Sequence, residues 1–321
     1  MMLVIRQLKK AYGNYMALDG LDITIEPGAL YGLVGPNGAG KTTTIKIMTS
    51  LLLPDSGTVE IDGVDAIANP GKLKAVIGYV PDYFGTYDNL KVAEYMEFFA
   101  SCYGMEGLKA RKRSLTLLEQ VGLEDRMDAF VDGLSRGMKQ RLCLARALIH
   151  NPKMLIMDEP TAGLDPRTRL EFKQIVKELQ EQGKTVLISS HILSELSELC
   201  THIGVLEQGK MLLEGSIAEI ENSINTSNPL IISVLGETQA ALNLLKEHDL
   251  VKTISVKEQE LMITFAGTSG EEAALLKELV EAGIPVRSFV RRQGGLESIF
   301  MQVTERQKER VVLVNEAESG L

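Results

Sequence analysis

At 321 residues, 45% of them hydrophobic and 24% charged, the chain is long enough for two globular domains, each with its own apolar core. A formal net charge of −9 excludes a general nucleic-acid binder, which needs a basic face, and leaves residues 109–113 as a local basic run on a solvated helix. Three scattered cysteines and four scattered histidines form neither a disulfide framework nor a metal-ligand pattern, and no apolar run is long enough to cross a bilayer, so a soluble protein of a reducing, cytoplasmic compartment is expected.

In chain order, residues 3–25 alternate apolar with polar and contain Gly13 and Gly20, which predicts an antiparallel β region. "LYGLVG" (30–35), "MLIMDEP" (154–160) and "TVLISSH" (185–191) are short, nearly continuous apolar runs, the pattern of strands buried on both faces. Helical patterns follow each of them, which favours a mainly parallel α/β sheet. Between about residues 83 and 150 helical periodicity replaces strand signals, as in a helical insertion. "GVLEQGKMLLEG" (204–215) predicts a hairpin turning at Gln208 and Gly209.

The first domain is expected to span residues 1–220 and the polar stretch 221–229 to be a linker. Residues 230–305 then restart the pattern: a strand at 230–235, a helix at 238–248, a strand in which Leu261, Ile263 and Phe265 alternate, a helix opened by Ser269 and Glu272 as a capping box and closed at Gly283, and a strand at 286–292. The expectation is a small α+β, ferredoxin-like β-α-β-β-α-β domain, then a closing helix at "LESIFMQVTE" and a charged tail, 306–321.

"GPNGAGKTT" comprises Gly35, Pro36, Asn37, Gly38, Ala39, Gly40, Lys41, Thr42 and Thr43. It follows an apolar strand and opens a helix, the context a phosphate-binding P-loop requires. The glycines let successive backbone N–H groups turn toward phosphate oxygens, Lys41 reaches the β- and γ-phosphates, and Thr42 can ligate Mg²⁺. In "LIMDEP" an apolar strand ends in two acids. Asp158 is placed to hold the metal through its water shell, and Glu159 to polarise a water for attack on the γ-phosphate.

With these motifs, residues 1–215 resemble the ATP-binding cassette (ABC) ATPases, the nucleotide-binding subunits of ABC transporters. The resemblance implies further roles. Tyr12, in "KAYGNYMALDG", matches the aromatic that stacks on adenine. "LSRGMKQR" resembles the signature motif, with Ser135 and Gly137 facing phosphate, although Arg136 and Met138 stand where Gly and Gln are frequent. "AGLDP" resembles the D-loop, with Asp165 at the dimer seam, and His191 matches the switch histidine that contacts the γ-phosphate. Asp82, in "GYVPDYFGTYDNL", stands where the family usually has Gln. A carboxylate keeps an acceptor for the metal's water shell, loses the amide donor and adds negative charge near the γ-phosphate.

The resemblance further implies ATP and Mg²⁺ as cofactors and a homo- or heterodimer of cassettes, in which each signature helix caps the ATP held by the other P-loop. It implies a separate transmembrane permease that holds the chain at the inner face of the membrane, in the manner of multidrug or polysaccharide-type exporters with an accessory C-terminal domain. The alternative is a soluble cassette protein acting on ribosomes or DNA, which a single cassette, the absence of a heptad run and the acidic balance oppose.

Overall fold

A computed structural model describes residues 1–83, 85, 89–220, 229–257 and 260–291. The chain divides into two compact units, Met1–Gly215 and Ser216–Leu321.

In the first unit, β1 (Leu3–Tyr12) and β2 (Tyr15–Ile25) form the expected antiparallel pair. β4 (Ser56–Ile61) and the two-residue β5 (Val64–Asp65) extend it, giving the order β2-β1-β4-β5. The second sheet places β3 (Leu30–Val34), β6 (Ile77–Val80), β7 (Met154–Met157), β8 (Thr185–Ser190), β9 (His202–Glu207) and β10 (Lys210–Ser216) in the order β10-β9-β3-β8-β7-β6. Its β9-β3-β8-β7-β6 core is parallel. β3, β7 and β8 are buried at every position, which explains their unbroken apolar sequence. β10 returns along β9 through Gln208 and Gly209, both at positive φ (48° and 76°), as a two-residue hairpin turn demands. Leu3, Ile5, Leu8, Leu18, Leu21 and Ile23 of the first sheet pack with Leu33, Ile156 and Leu187 of the second into one core.

Helices connect and cover these strands. α1 (Lys41–Met48) follows β3 and α2 (Pro70–Val76) precedes β6. The expected insertion consists of α3 (Val92–Cys102), α4 (Gly107–Gln120) and α5 (Arg136–Ala147), and the bridge Lys91–Phe130 is its one strand-like pairing among the described residues. The basic run corrects the expectation in one respect. Lys109, Arg111 and Lys112 are exposed, but Arg113 turns inward and donates from Nε to Ile149 O (3.0 Å) and from Nη2 to Leu148 O (2.7 Å). It thereby satisfies carbonyls left open at the end of α5. α6 (Pro166–Glu181) and α7 (Leu193–Ser197) flank β8. Among the described residues no helix is long and apolar enough to cross a membrane.

The second unit is built from β11 (Leu230–Val234), α8 (Gln239–Glu247), β12 (Val251–Lys257), β13 (Glu260–Phe265), α9 (Ser269–Glu281) and β14 (Val286–Arg291). All its strand pairs are antiparallel in the order β12-β13-β11-β14, the ferredoxin-like arrangement. Alternate residues of β11 and β13 (Leu230, Ile232 and Val234; Leu261, Ile263 and Phe265) pack with Ala241, Leu245, Leu275 and Leu279 of the two helices, a core separate from that of the first unit.

The capping box lies one residue earlier than expected. Thr268 is the N-cap, its hydroxyl accepts from Glu271 N–H, and Glu271 reaches back to Thr268 N–H (2.6 Å), so Ser269 and Glu272 do not form the box. Glu272 instead pairs with Arg291 of β14. Tertiary pairing of Glu272 thus decides between two equally spaced Ser/Thr-x-x-Glu options. Residues 221–228 of the expected linker, the expected closing helix and the charged tail lie outside the described residues.

Candidate active site

The loop 35–40 joins the buried end of β3 to α1, and its shape is fixed by close backbone approaches. Gly40 adopts φ +109°, and a Cβ there would lie 2.6 Å from Ala17 O of β2, so only glycine fits. Gly35 N–H donates to Ser190 O at the end of β8 (3.3 Å), and Gly209 N–H donates to Ala39 O (2.9 Å), tying the loop to the β9–β10 turn. Lys41 is 6% exposed. Its ammonium donates to Gly35 O (2.7 Å) and Pro36 O (3.2 Å) and stands 3.4 Å from Glu159 Oε1.

Asp158 and Glu159 leave the end of β7 in opposite environments. Asp158 is 2% exposed, and its carboxylate accepts from Ser189 Oγ of β8 (2.7 Å), with the Thr42 hydroxyl nearby. Burial pushes its carboxyl above the usual range, and the charges of Glu159 and Asp82 push the same way, against the hydroxyls of Ser189 and Thr42. Nearby, the Tyr79 phenol is pushed up to about 12, first by burial and then by the charge of Asp158, with Asp82 contributing. The three carboxylates therefore make a field of one sign, one that a cation would relieve.

Glu159 sits at φ +47°, a left-handed conformation that costs a non-glycine residue about 1–2 kcal/mol. It is held there by its N–H donating to Ser189 Oγ (3.0 Å) and by its carbonyl accepting from Ala162 N–H (3.0 Å). This turn aims the side chain between two basic groups, with Lys41 on Oε1 and His191 Nδ1 donating to Oε2 at 2.9 Å. With Nδ1 carrying a proton, the His191 ring donates through Nε2 as well only as the imidazolium.

An open cleft of about 340 Å³ is lined by Asn37, Gly38, Gly40, Lys41, Thr42, Thr43, Asp82, Glu159, His191 and Tyr12, together with Tyr15, Ala17 and Ala162. Of the remaining sequence-predicted residues, Gly35, Pro36 and Ala39 complete the loop, and Asp158 is buried at the end of β7 with Thr42 nearby. Ser135, Gly137 and Asp165 do not line this cleft. Ser135 caps α5, its hydroxyl accepting from Met138 N–H (3.3 Å), and Asp165 caps α6 by accepting from Thr168 N–H (3.0 Å). Gly137 faces α6 so closely that a Cβ would lie 2.3 Å from Thr168 Cγ2. Tyr15 and Ser189 were missed from sequence. Tyr15 pairs with Tyr12 across the β1–β2 hairpin, and its hydroxyl donates to Gly38 O (2.7 Å), steadying the loop. A second aromatic beside the first, across a Gly-containing hairpin, was the available signal. Ser189 had none, because its two partners lie on the neighbouring strand's end.

A family model described as ABC transporter matches residues 18–162. The linearmycin resistance ATP-binding protein LnrL of Bacillus subtilis is 34% identical over 307 residues, covering 95% of this chain and 99% of that protein. The chain belongs to the ABC transporter family, as an ATP-binding protein. The Nod factor export ATP-binding protein I of Cupriavidus metallidurans is 35% identical over 306 residues, 95% of this chain and 98% of that protein. Among solved structures, a dimeric post-hydrolysis state of the ATP-binding cassette MJ0796 bound to ADP and Pi matches with TM-score 0.62 and 30% identity, over 67% of this chain and 99% of that one. As an ABC ATP-binding subunit, the protein binds ATP and hydrolyses it to drive transport, and cassettes of this family dimerise.

Proposed function

We propose that the chain is the motor of an exporter, closing on a second cassette when ATP binds and reopening after hydrolysis, with a separate transmembrane permease as its load. The observation that carries this reading is Glu159, held in a strained turn between Lys41 and His191 at the mouth of a P-loop cleft. In the reading, Lys41 and the N–H groups of residues 35–43 hold the β- and γ-phosphates, and Tyr12 stacks on adenine with Tyr15 beside it. Glu159 takes a proton from the attacking water, and His191 donates to the γ-phosphate.

Mg²⁺ fits the donor set. Thr42 and Asp158 offer hard oxygen ligands beside one another, and Asp82 lines the same cleft as Thr42. Among the described residues no cluster of three or more His, Cys, Asp or Glu could cage a metal alone, which suits an ion completed by water and phosphate. When bound, it neutralises charge on the phosphates. Ser135, Gly137 and Asp165, away from the chain's own cleft, are assigned to the partner's nucleotide and the dimer seam.

Relatives named for drug resistance and for Nod factor export support an exporter over a ribosome- or DNA-directed cassette. Full-length protein solubilised with mild detergent should co-purify with a membrane protein. Co-purification with ribosomes and no membrane protein would overturn the reading. The ferredoxin-like unit is proposed to add interface to a twin or to the permease. Because its core is separate, a chain ending at residue 220 should keep ATP affinity within about twofold while losing dimerisation or permease assembly. Calorimetry with nucleotide and sedimentation of the truncated chain check both parts.

A further inference from the structure

The loop that follows Glu159 is gripped by side chains that arrive from distant parts of the sequence. It descends from the cleft in successive turns, with Ala162 N–H donating to Glu159 O and Leu164 N–H to Thr161 O (3.3 Å). Glu195, on α7 just beyond His191, is only 11% exposed at its side chain and binds both this loop and the start of α6. Its Oε2 accepts from Thr161 Oγ1 (3.1 Å), and its Oε1 accepts from Arg169 Nη1. Arg169, on the first turns of α6, spends its second amine on Leu164 O (3.2 Å), immediately before Asp165. One carboxylate and one guanidinium thus clamp both ends of the stretch 161–164. Arg136 also stands against this stretch, since a Cβ on Gly163 would lie 2.7 Å from its Nη1.

Neither Glu195 nor Arg169 lines the cleft, yet each end of the clamp leads to something that does. Thr161 is tied through Pro160 to Glu159, and α7 is tied to His191. One charge-assisted hydrogen bond joins the Glu195 carboxylate to Arg169 Nη1, and because the same cation also holds Leu164 O through Nη2, it ties α7 to the end of the loop at a site only partly open to water.

We propose that Glu195 and Arg169 are positioning residues for ATP turnover, joining the helix behind His191 to the loop that runs from Glu159 to Asp165. A movement of His191 on its γ-phosphate is then passed to the segment presented to the partner cassette. The inference rests on the cassette-closure reading above, and it assigns a route by which one nucleotide is reported to the seam.

The test uses the full-length chain. Glu195→Gln keeps the side chain's shape and the bond to Thr161, and Arg169→Gln removes the cation. ADP affinity, which reads the P-loop without a γ-phosphate, should change less than about twofold. Both kcat and the ability of ATP to dimerise these variants in a Glu159→Gln background should drop about tenfold, the scale of one charged hydrogen bond. Arg169→Lys, which restores a cation beside Glu195, should recover most of kcat. A merely structural pair would lower the melting temperature and ADP affinity together and leave no kcat-specific loss. Unchanged kcat in the folded Glu195→Gln protein, or Arg169→Lys as inactive as Arg169→Gln, would overturn the proposal. If Glu159→Gln by itself fails to dimerise with ATP, the closure reading falls and takes the proposal with it. If that parent dimerises and the Glu195→Gln double variant does so at the same ATP concentration, the positioning role alone is wrong.

Discussion

Glu159→Gln should bind ATP yet lose about 10²–10⁴ in turnover, the usual scale for a missing general base. The amide can still accept from His191 Nδ1–H and keeps the side chain's volume, so the strained turn at φ +47° has no reason to relax. What it loses is basicity, and with it the attraction of the Lys41 ammonium at 3.4 Å. Uncoupled from hydrolysis, ATP should trap the chain as a stable dimer, seen as a shift to larger size on gel filtration with ATP and absent with ADP. Turnover at the wild-type rate would remove Glu159 from the mechanism and direct attention to Asp82, the other carboxylate lining the cleft.

The second large effect concerns sites shared between chains. Lys41→Ala should weaken ATP binding about ten- to a hundredfold, because it removes charge-assisted hydrogen bonds worth about 1.5–3 kcal/mol. Ser135→Arg should leave binding to the chain's own P-loop intact, since Ser135 does not line that cleft, but abolish hydrolysis by filling the partner's phosphate seat. It also removes a helix cap worth about 1 kcal/mol, so a melting curve must accompany the assay. Mixed in equal amounts, the two inactive proteins should regain about a quarter of wild-type activity, as about half the dimers are mixed and each of those carries one intact site. An inert mixture in which mixed dimers are demonstrably present would show that each chain completes its own site.

Two parts of the fold show where sequence patterns carry information. The parallel strands β3, β7 and β8 were legible because burial on both faces forces an unbroken apolar run. The strands β4, β5, β6 and β12 are not legible in the sequence. β12 is an edge strand with five of its seven residues exposed, so it carries almost no apolar alternation, and β4 pairs with β1 from the start of the chain rather than with a neighbouring long strand. The capping box slipped by one residue because Thr268–Glu271 and Ser269–Glu272 have the same local spacing, and only Arg291 on β14 separates them.

The candidate site divides along the same line. By itself the sequence determined the phosphate loop, because a cradle of backbone N–H groups is a property of consecutive residues, and nine adjacent positions, 35–43, carry it. It likewise determined that two acids end a buried strand. What only the tertiary structure decided is how those pieces face one another: Glu159 between Lys41 and His191, Asp158 against Thr42 and Ser189, Tyr15 on Gly38, and Glu195 bridging Thr161 and Arg169. These partners come together only when β3, β7 and β8 align in register and bring their ends to one edge of the sheet. Local spacing cannot encode that alignment, because it comes from burying the strands against one another and their helices, a free energy that belongs to the whole core.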